Sequence, residues 1–148
     1  MATAVRNLHV NAPAEQVWEY LQTPGSIVEW WPDCEEIHDI TRRSDGALTF
    51  KWTDKPAGVS CHGEIAETVE EPGKTLALHL TGDLCGDLHW RVRGENGGTD
   101  LVLESDYDLP VRSLIPFLSP VRILTFQQDE ADAIVEKVRE HFNGEYNA

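Results

Sequence analysis

Apolar and polar residues alternate along four segments between residues 47 and 109, and this pattern constrains the fold more than any other sequence feature. In each segment the residues of one parity are apolar: Leu48, Phe50 and Trp52, then Leu76, Leu78 and Leu80, then Leu88, Trp90 and Val92, then Leu101, Leu103 and Tyr107. The other parity carries polar residues such as Lys51, His79 and Arg91. The alternation predicts an antiparallel sheet with one buried face and one solvated face.

Turn-forming residues separate these segments. The breaks are SDG, KPAG, EPGK, LCG and ENGG. Because glycine, proline and asparagine favour turns, they predict strands over 35–43, 47–54, 58–70, 75–82, 87–94 and 99–109. A further strand is predicted over Ala4–Val10, which gives about seven in all.

Two short helices are predicted between the first and second strands. Pro13 begins the first helix, AEQVWEYL, and Pro24 and Gly25 end it. Ser26 caps the second helix, SIVEWW, which ends at Pro32.

The apolar period changes to three and four after Pro110, which predicts a long C-terminal helix. Its stripe is Val121, Leu124, Gln128, Ala131, Ile134, Val135, Val138 and Phe142. Ser119 and Pro120 begin the helix and Gly144 ends it. Its acidic face, predicted to be solvated, is Asp129, Glu130, Asp132, Glu136 and Glu140. The stripe needs the apolar face of the sheet, so the fold class is α+β, with a curved sheet wrapped on the helix.

The LCG turn also predicts a register. Closing this hairpin about Leu84 pairs Leu80 with Leu88, Leu78 with Trp90, Leu76 with Val92, and His79 with His89 on the solvated face. The two imidazoles are too few ligands for a tightly bound structural metal, so no metal is assigned.

The length and net charge of the chain restrict its domain number and its possible functions. The 148 residues suit one domain, 1–148. A net charge of -14 argues against nucleic-acid binding, which needs a basic patch. It would also suit a high-salt habitat. The absence of a membrane-length apolar stretch and of a leader in MATAVRNLHV predicts a cytoplasmic protein. The three cysteines are widely spaced, so neither a disulfide framework nor a zinc motif is expected, and no cofactor is assigned.

The element order and the segment HVNAPAEQVWEYLQTPGSIVEWWPDCEEI resemble the START-like superfamily, also called SRPBCC. It includes polyketide cyclases and coenzyme Q-binding proteins, and the resemblance covers nearly the whole chain. It implies a helix-grip fold with an apolar cavity between the sheet and the C-terminal helix. Members of the superfamily bind different ligands or protein partners, so the fold does not select a ligand.

The expected ligand is a flat apolar small molecule, because aromatic faces line the inward side of the sheet and small residues leave room beside them. The candidate ligand-binding residues are Trp30, Trp31, Phe50, Trp52, Cys61, Leu78, Trp90, Ser105 and Tyr107. Trp30 and Trp31 are expected to border the mouth. Gly63 is also expected to leave room. No catalytic residue is assigned, and Glu67 is given no role because a bulge in its strand would reverse its direction.

Three functions therefore remain open. The first is a carrier or sensor of a hydrophobic small molecule such as a lipid, quinone or polyketide. The second is a cyclase or dehydrase, which needs a titratable group with a perturbed pKa inside the cavity. The third is a protein-interaction module, which needs a contiguous exposed apolar patch. The sequence does not indicate an oligomeric state.

Overall fold

The computed structural model describes residues 4–23, 25–31, 34–44, 47–54, 61–83, 85–108 and 120–146. The elements in these ranges are, in chain order, β1 (Ala4–Val10), α1 (Ala14–Gln22), α2 (Ser26–Trp30), β2 (Cys34–Arg42), β3 (Leu48–Asp54), β4 (Cys61–Glu71), β5 (Thr75–Gly82), β6 (Cys85–Glu95), β7 (Gly98–Asp108) and α3 (Pro120–Tyr146). Each predicted element is present. Their ends differ from the predictions by at most two residues wherever the chain is described. Residues 58–60 and 109, Pro24, Pro32 and Ser119 lie outside the described residues.

One curved antiparallel sheet contains all seven strands, in the order β1-β7-β6-β5-β4-β3-β2. Consecutive strands from β2 to β7 are neighbours, as expected of hairpin connections. β1 joins the far edge by pairing with β7, with Leu8 opposite Leu101. β1 and β2 are therefore the two edge strands.

The inward parity predicted from the alternation is confirmed. All twelve inward residues of β3, β5, β6 and β7 named above are at most 5% exposed. Lys51, His79 and Arg91 on the opposite face are exposed. The buried face joins residues of α1, α2 and α3 in one hydrophobic core.

The predicted register of the β5–β6 hairpin is wrong by two residues. Leu78 pairs with Leu88 and Leu76 pairs with Trp90. The turn is centred on Asp83 because Gly82, with φ of 105°, already reverses the chain. Asp83 is also tied to β4, since its backbone N–H donates to the His62 carbonyl oxygen at 3.0 Å. A two-residue shift preserves side-chain direction, which is why the buried face was still predicted correctly.

The shift also separates the predicted histidine pair. His79 lies opposite Asp87, and its Nδ1 is 2.7 Å from the Asp87 Oδ1. His89 pairs with Ala77, and its Nε2 is 3.3 Å from an oxygen of Glu70.

The buried face of helix α3 differs from the predicted stripe, most clearly at Glu130. Its buried residues are Gln127, Glu130, Ala131, Ile134, Val135, Val138 and Phe142. Glu130, predicted on the solvated face, is 5% exposed because it lies one turn before Ile134 on the buried face. Gln128 is half-buried, and the side chains of Val121 and Leu124 are outside the described part. The helix continues past Gly144 to Tyr146.

Candidate functional site

A buried carboxylate is the centre of a polar cluster between the sheet and α3. Glu130 of α3 accepts a hydrogen bond from the Trp31 indole N–H at 3.0 Å and another from the Tyr107 hydroxyl. The Gln127 side-chain amide donates to the Tyr107 carbonyl oxygen at 2.6 Å. These hydrogen bonds link α3 to Trp31, which follows α2, and to Tyr107 near the end of β7.

Aromatic rings extend this cluster across the buried face. The Trp31 and Tyr107 ring centroids are 5.8 Å apart, and Trp30 stacks on Trp31 at 5.9 Å. Trp30 also meets Trp90 edge to face at 5.7 Å. Trp30 and Trp31 are 0% and 4% exposed, so neither borders an open mouth as the sequence suggested. The N–H of Trp30 donates to the Ser26 hydroxyl at 3.1 Å.

The other two inward indoles lack an acceptor. Trp52 is 3% exposed and Trp90 is 0% exposed, and neither Nε1–H has a hydrogen-bond partner among the described residues. The Trp52 ring lies over Gly63, where an added Cβ would be 2.7 Å from Trp52 Cζ2. The indole therefore occupies the space that Gly63 was expected to leave open. Two buried donors without acceptors are costly and need a physical explanation.

The remaining candidate residues fall on the same buried face, with one exception. Phe50, Leu78 and Ser105 are at most 2% exposed. Cys61 starts β4, but its side chain is not among those that the structure describes. Apart from Cys61, the predicted residues are thus brought together in one buried region of the core.

A separate open cleft lies between α1 and the β2–β4 edge of the sheet. It has a volume of about 270 Å³ and is lined by Trp18, Glu19, Gln22, Thr23, Arg42, Leu48 and Glu67. Glu67 is only 3% exposed, which shows that its direction is inward. The register irregularity in β4 comes later, between Val69 and Glu71, so it does not reverse this side chain.

Burial raises the pKa of Glu67 to about 7. A hydrogen bond from the Leu48 backbone N–H at 3.4 Å and the charges of Arg42 and Arg43 act in the opposite direction, but burial outweighs them. Arg43 donates to the backbone oxygen of Glu67. The carboxyl group is therefore poised to gain or lose a proton near neutral pH.

Sequence reasoning missed both buried carboxyl groups. The signal for Glu130 was present, since it lies three residues after Gln127 and four before Ile134. The signal for Glu67 was its inward parity, which was set aside because a bulge could have reversed it. An acidic residue is usually predicted to lie on the surface, even within an apolar stripe. The burial of Glu130 and Glu67 was therefore found only in the structure.

A curved seven-strand antiparallel sheet with a long C-terminal helix defines the helix-grip class of proteins. The family model for polyketide cyclase, dehydrase and lipid transport proteins matches residues 1–142. The chain belongs to this family. A comparison with curated proteins finds no match.

Solved structures confirm the START-like fold. A protein from Thermus thermophilus aligns with a TM-score of 0.77 at 16% identity, covering 94% of this chain and 95% of its own. A START superfamily protein from Mycobacterium smegmatis has a TM-score of 0.71 at 15% identity, with the same two coverages. The ZhuI aromatase/cyclase from Streptomyces sp. R1128 has a TM-score of 0.70 at 15% identity, covering 93% of this chain and 91% of its own. Identities this low show the fold alone.

The exposed large apolar residues among those described are Val5 on β1, Val28 on α2 and Ile40 on β2. Val5 and Ile40 lie on opposite edges of the sheet. In the part of the chain that the structure covers, no helix has the length and apolar character needed to cross a membrane.

Proposed function

We propose that this protein binds a hydrophobic small molecule that carries a carbonyl or similar acceptor oxygen, on the concave face of the sheet beneath α3. The observation that carries the proposal is the pair of buried indole donors, Trp52 Nε1–H and Trp90 Nε1–H, without acceptors among the described residues. A ligand oxygen would satisfy a donor that the described residues leave unsatisfied. The apolar body of the ligand would contact the aromatic and aliphatic side chains around these donors.

Three features support this proposal. The surrounding face is apolar and aromatic, which favours a flat ring system. The chain belongs to a family whose description includes lipid transport. Only three large apolar side chains are exposed among the described residues, and Val5 and Ile40 are on opposite edges of the sheet, which does not favour the interaction-module alternative.

A matched ligand pair tests the proposal. The two flat tricyclic compounds 9-fluorenone and fluorene have almost the same shape, but only fluorenone carries a carbonyl oxygen. We expect fluorenone to bind about tenfold more tightly in a fluorescence-quenching titration, because pairing one buried donor is equivalent to about 1–2 kcal/mol. Equal affinities, or binding of neither compound, would contradict the proposal.

A cyclase or dehydrase activity is a second candidate, and one observation favours it. The Tyr107 hydroxyl donates to the buried Glu130 carboxyl group, which places a proton acceptor and a phenol side by side. In such a reaction Glu130 would take up a proton α to a ligand carbonyl. The Tyr107 O–H would leave the carboxyl group as that group is protonated, and it would then donate to the enolate oxygen that forms.

Deuterium exchange separates this candidate from simple binding. An enzyme of this kind should accelerate exchange of the α-protons of 2-tetralone in D₂O, followed by NMR. Glu130→Gln should remove the acceleration and Glu136→Gln, on the exposed face of α3, should not. Wild-type exchange at the buffer rate would leave binding alone as the function.

A further inference from the structure

We infer that the cleft between α1 and the β2–β4 edge is a second binding site, which takes a protonated amine or a similar nitrogen cation against Glu67. This site lies where α1 meets the β2–β4 side of the sheet's inward face, and it does not depend on the function proposed for the region beneath α3. Its evidence is a buried carboxyl group that lines an open cleft.

Among the described residues, the Glu67 carboxyl group accepts one long hydrogen bond, from Leu48 N–H at 3.4 Å. The charges of Arg42 and Arg43 favour its ionised form, but burial outweighs them. Taking an acid out of water without a counter-charge is unfavourable. A ligand cation would supply that counter-charge at a site where the low dielectric strengthens the attraction.

The α1 wall of the cleft also favours a cation. Gln22 and Thr23 bring the C-terminal end of α1 to the cleft, and the last turn of this helix has no basic residue. The helix dipole places partial negative charge at this end. Glu19 adds a carboxylate, and Trp18 offers an aromatic wall, which is the kind of surface that binds ammonium groups.

Two arginines near the cleft act against a cation. Arg42 lines the cleft but is exposed, so water and salt screen its charge, whereas Glu67 is buried and its charge is not screened. Arg43 directs Nη2 to the backbone oxygen of Glu67. The volume of about 270 Å³ fits a small head group, since it equals the space of roughly nine water molecules.

Three probes of one shape test the ligand class: benzylammonium, benzyl alcohol and benzoate. We expect benzylammonium to shift the NMR signals of residues in the cleft and to bind at least about tenfold more tightly than the other two. The ¹³C carboxyl signal of Glu67 should move toward its ionised position at pH 7 when benzylammonium is added. Tighter binding of benzoate or of benzyl alcohol would overturn the assignment.

Matched variants assign the effect to one side chain. Glu67→Gln should weaken benzylammonium binding by about tenfold or more. Glu64→Gln removes at least as much negative charge, but Glu64 lies on the exposed face of β4, so this variant should bind benzylammonium with unchanged affinity. Equal losses in both variants would mean non-specific attraction to an acidic protein, and no loss in either would refute the site. Fluorenone binding beneath α3 is measured in parallel, so the result for the Glu67 cleft is independent of the result for the proposed ligand site.

Discussion

Glu67→Gln should stabilise the protein in a pH-dependent way. Burial raises the folded-state pKa of Glu67 to about 7 from an ordinary value of 4.5. Glu67 therefore makes its full contribution to stability only below about pH 4.5, where it is protonated in both the folded and the unfolded state. This contribution is lost as the pH rises through 7. The shift corresponds to about 3 kcal/mol at high pH. Glutamine keeps the shape of the protonated acid and cannot ionise.

The measurement is the unfolding free energy from urea titrations of the wild type, Glu67→Gln and the exposed control Glu64→Gln. Between pH 5.5 and 8 we expect Glu67→Gln to gain about 2 kcal/mol relative to the wild type, which is the part of the shift titrated over that interval. The control should gain much less, since Glu64 lies in water. A difference between Glu67→Gln and the wild type that stays constant with pH would refute the role of burial.

Two further changes test the packing. Ile134 is 0% exposed, so Ile134→Asp should cost about 4 kcal/mol or more and lower the melting temperature sharply, whereas Glu136→Ala on the exposed face should change stability by less than about 1 kcal/mol. An unchanged melting temperature for Ile134→Asp would show that α3 does not dock on the sheet. Gly63→Ala would place a Cβ 2.1 Å from the Thr81 oxygen and should cost about 1–3 kcal/mol in a urea titration, while Gly25→Ala meets nothing within 4 Å. Equal stability of the two alanine variants would contradict the close approach of the Thr81 oxygen and the Trp52 ring to Gly63.

The fold could be predicted because its signals are local and periodic. The two-residue period of the strands and the three-to-four period of α3 determine which side chains are buried, and turn residues mark the element ends. The hairpin register could not be read from the same signals. A shift by two preserves the alternation, so only the geometry of Gly82 and the contacts of Asp83 decided it.

The candidate site was predicted less well, for a different physical reason. Apolar residues such as Trp52 and Trp90 were assigned to the buried face correctly, but whether a buried ring packs or lines a ligand depends on its neighbours from distant strands. The burial of Glu130 and Glu67 was missed because it depends on contacts with residues that are distant in the sequence. Trp31 and Tyr107, which contact Glu130, are 99 and 23 residues away from it.

The most direct test of the proposed binding function is the NMR spectrum of the five indole N–H groups during titration with 9-fluorenone. Trp30 and Trp31 already donate to Ser26 and Glu130, so they serve as internal controls. We expect Trp52 or Trp90 to gain a hydrogen bond, with a downfield shift and slower solvent exchange of that Nε1–H, and fluorene to cause neither change. Saturable fluorenone binding that leaves both of these indole signals unchanged would contradict the proposal.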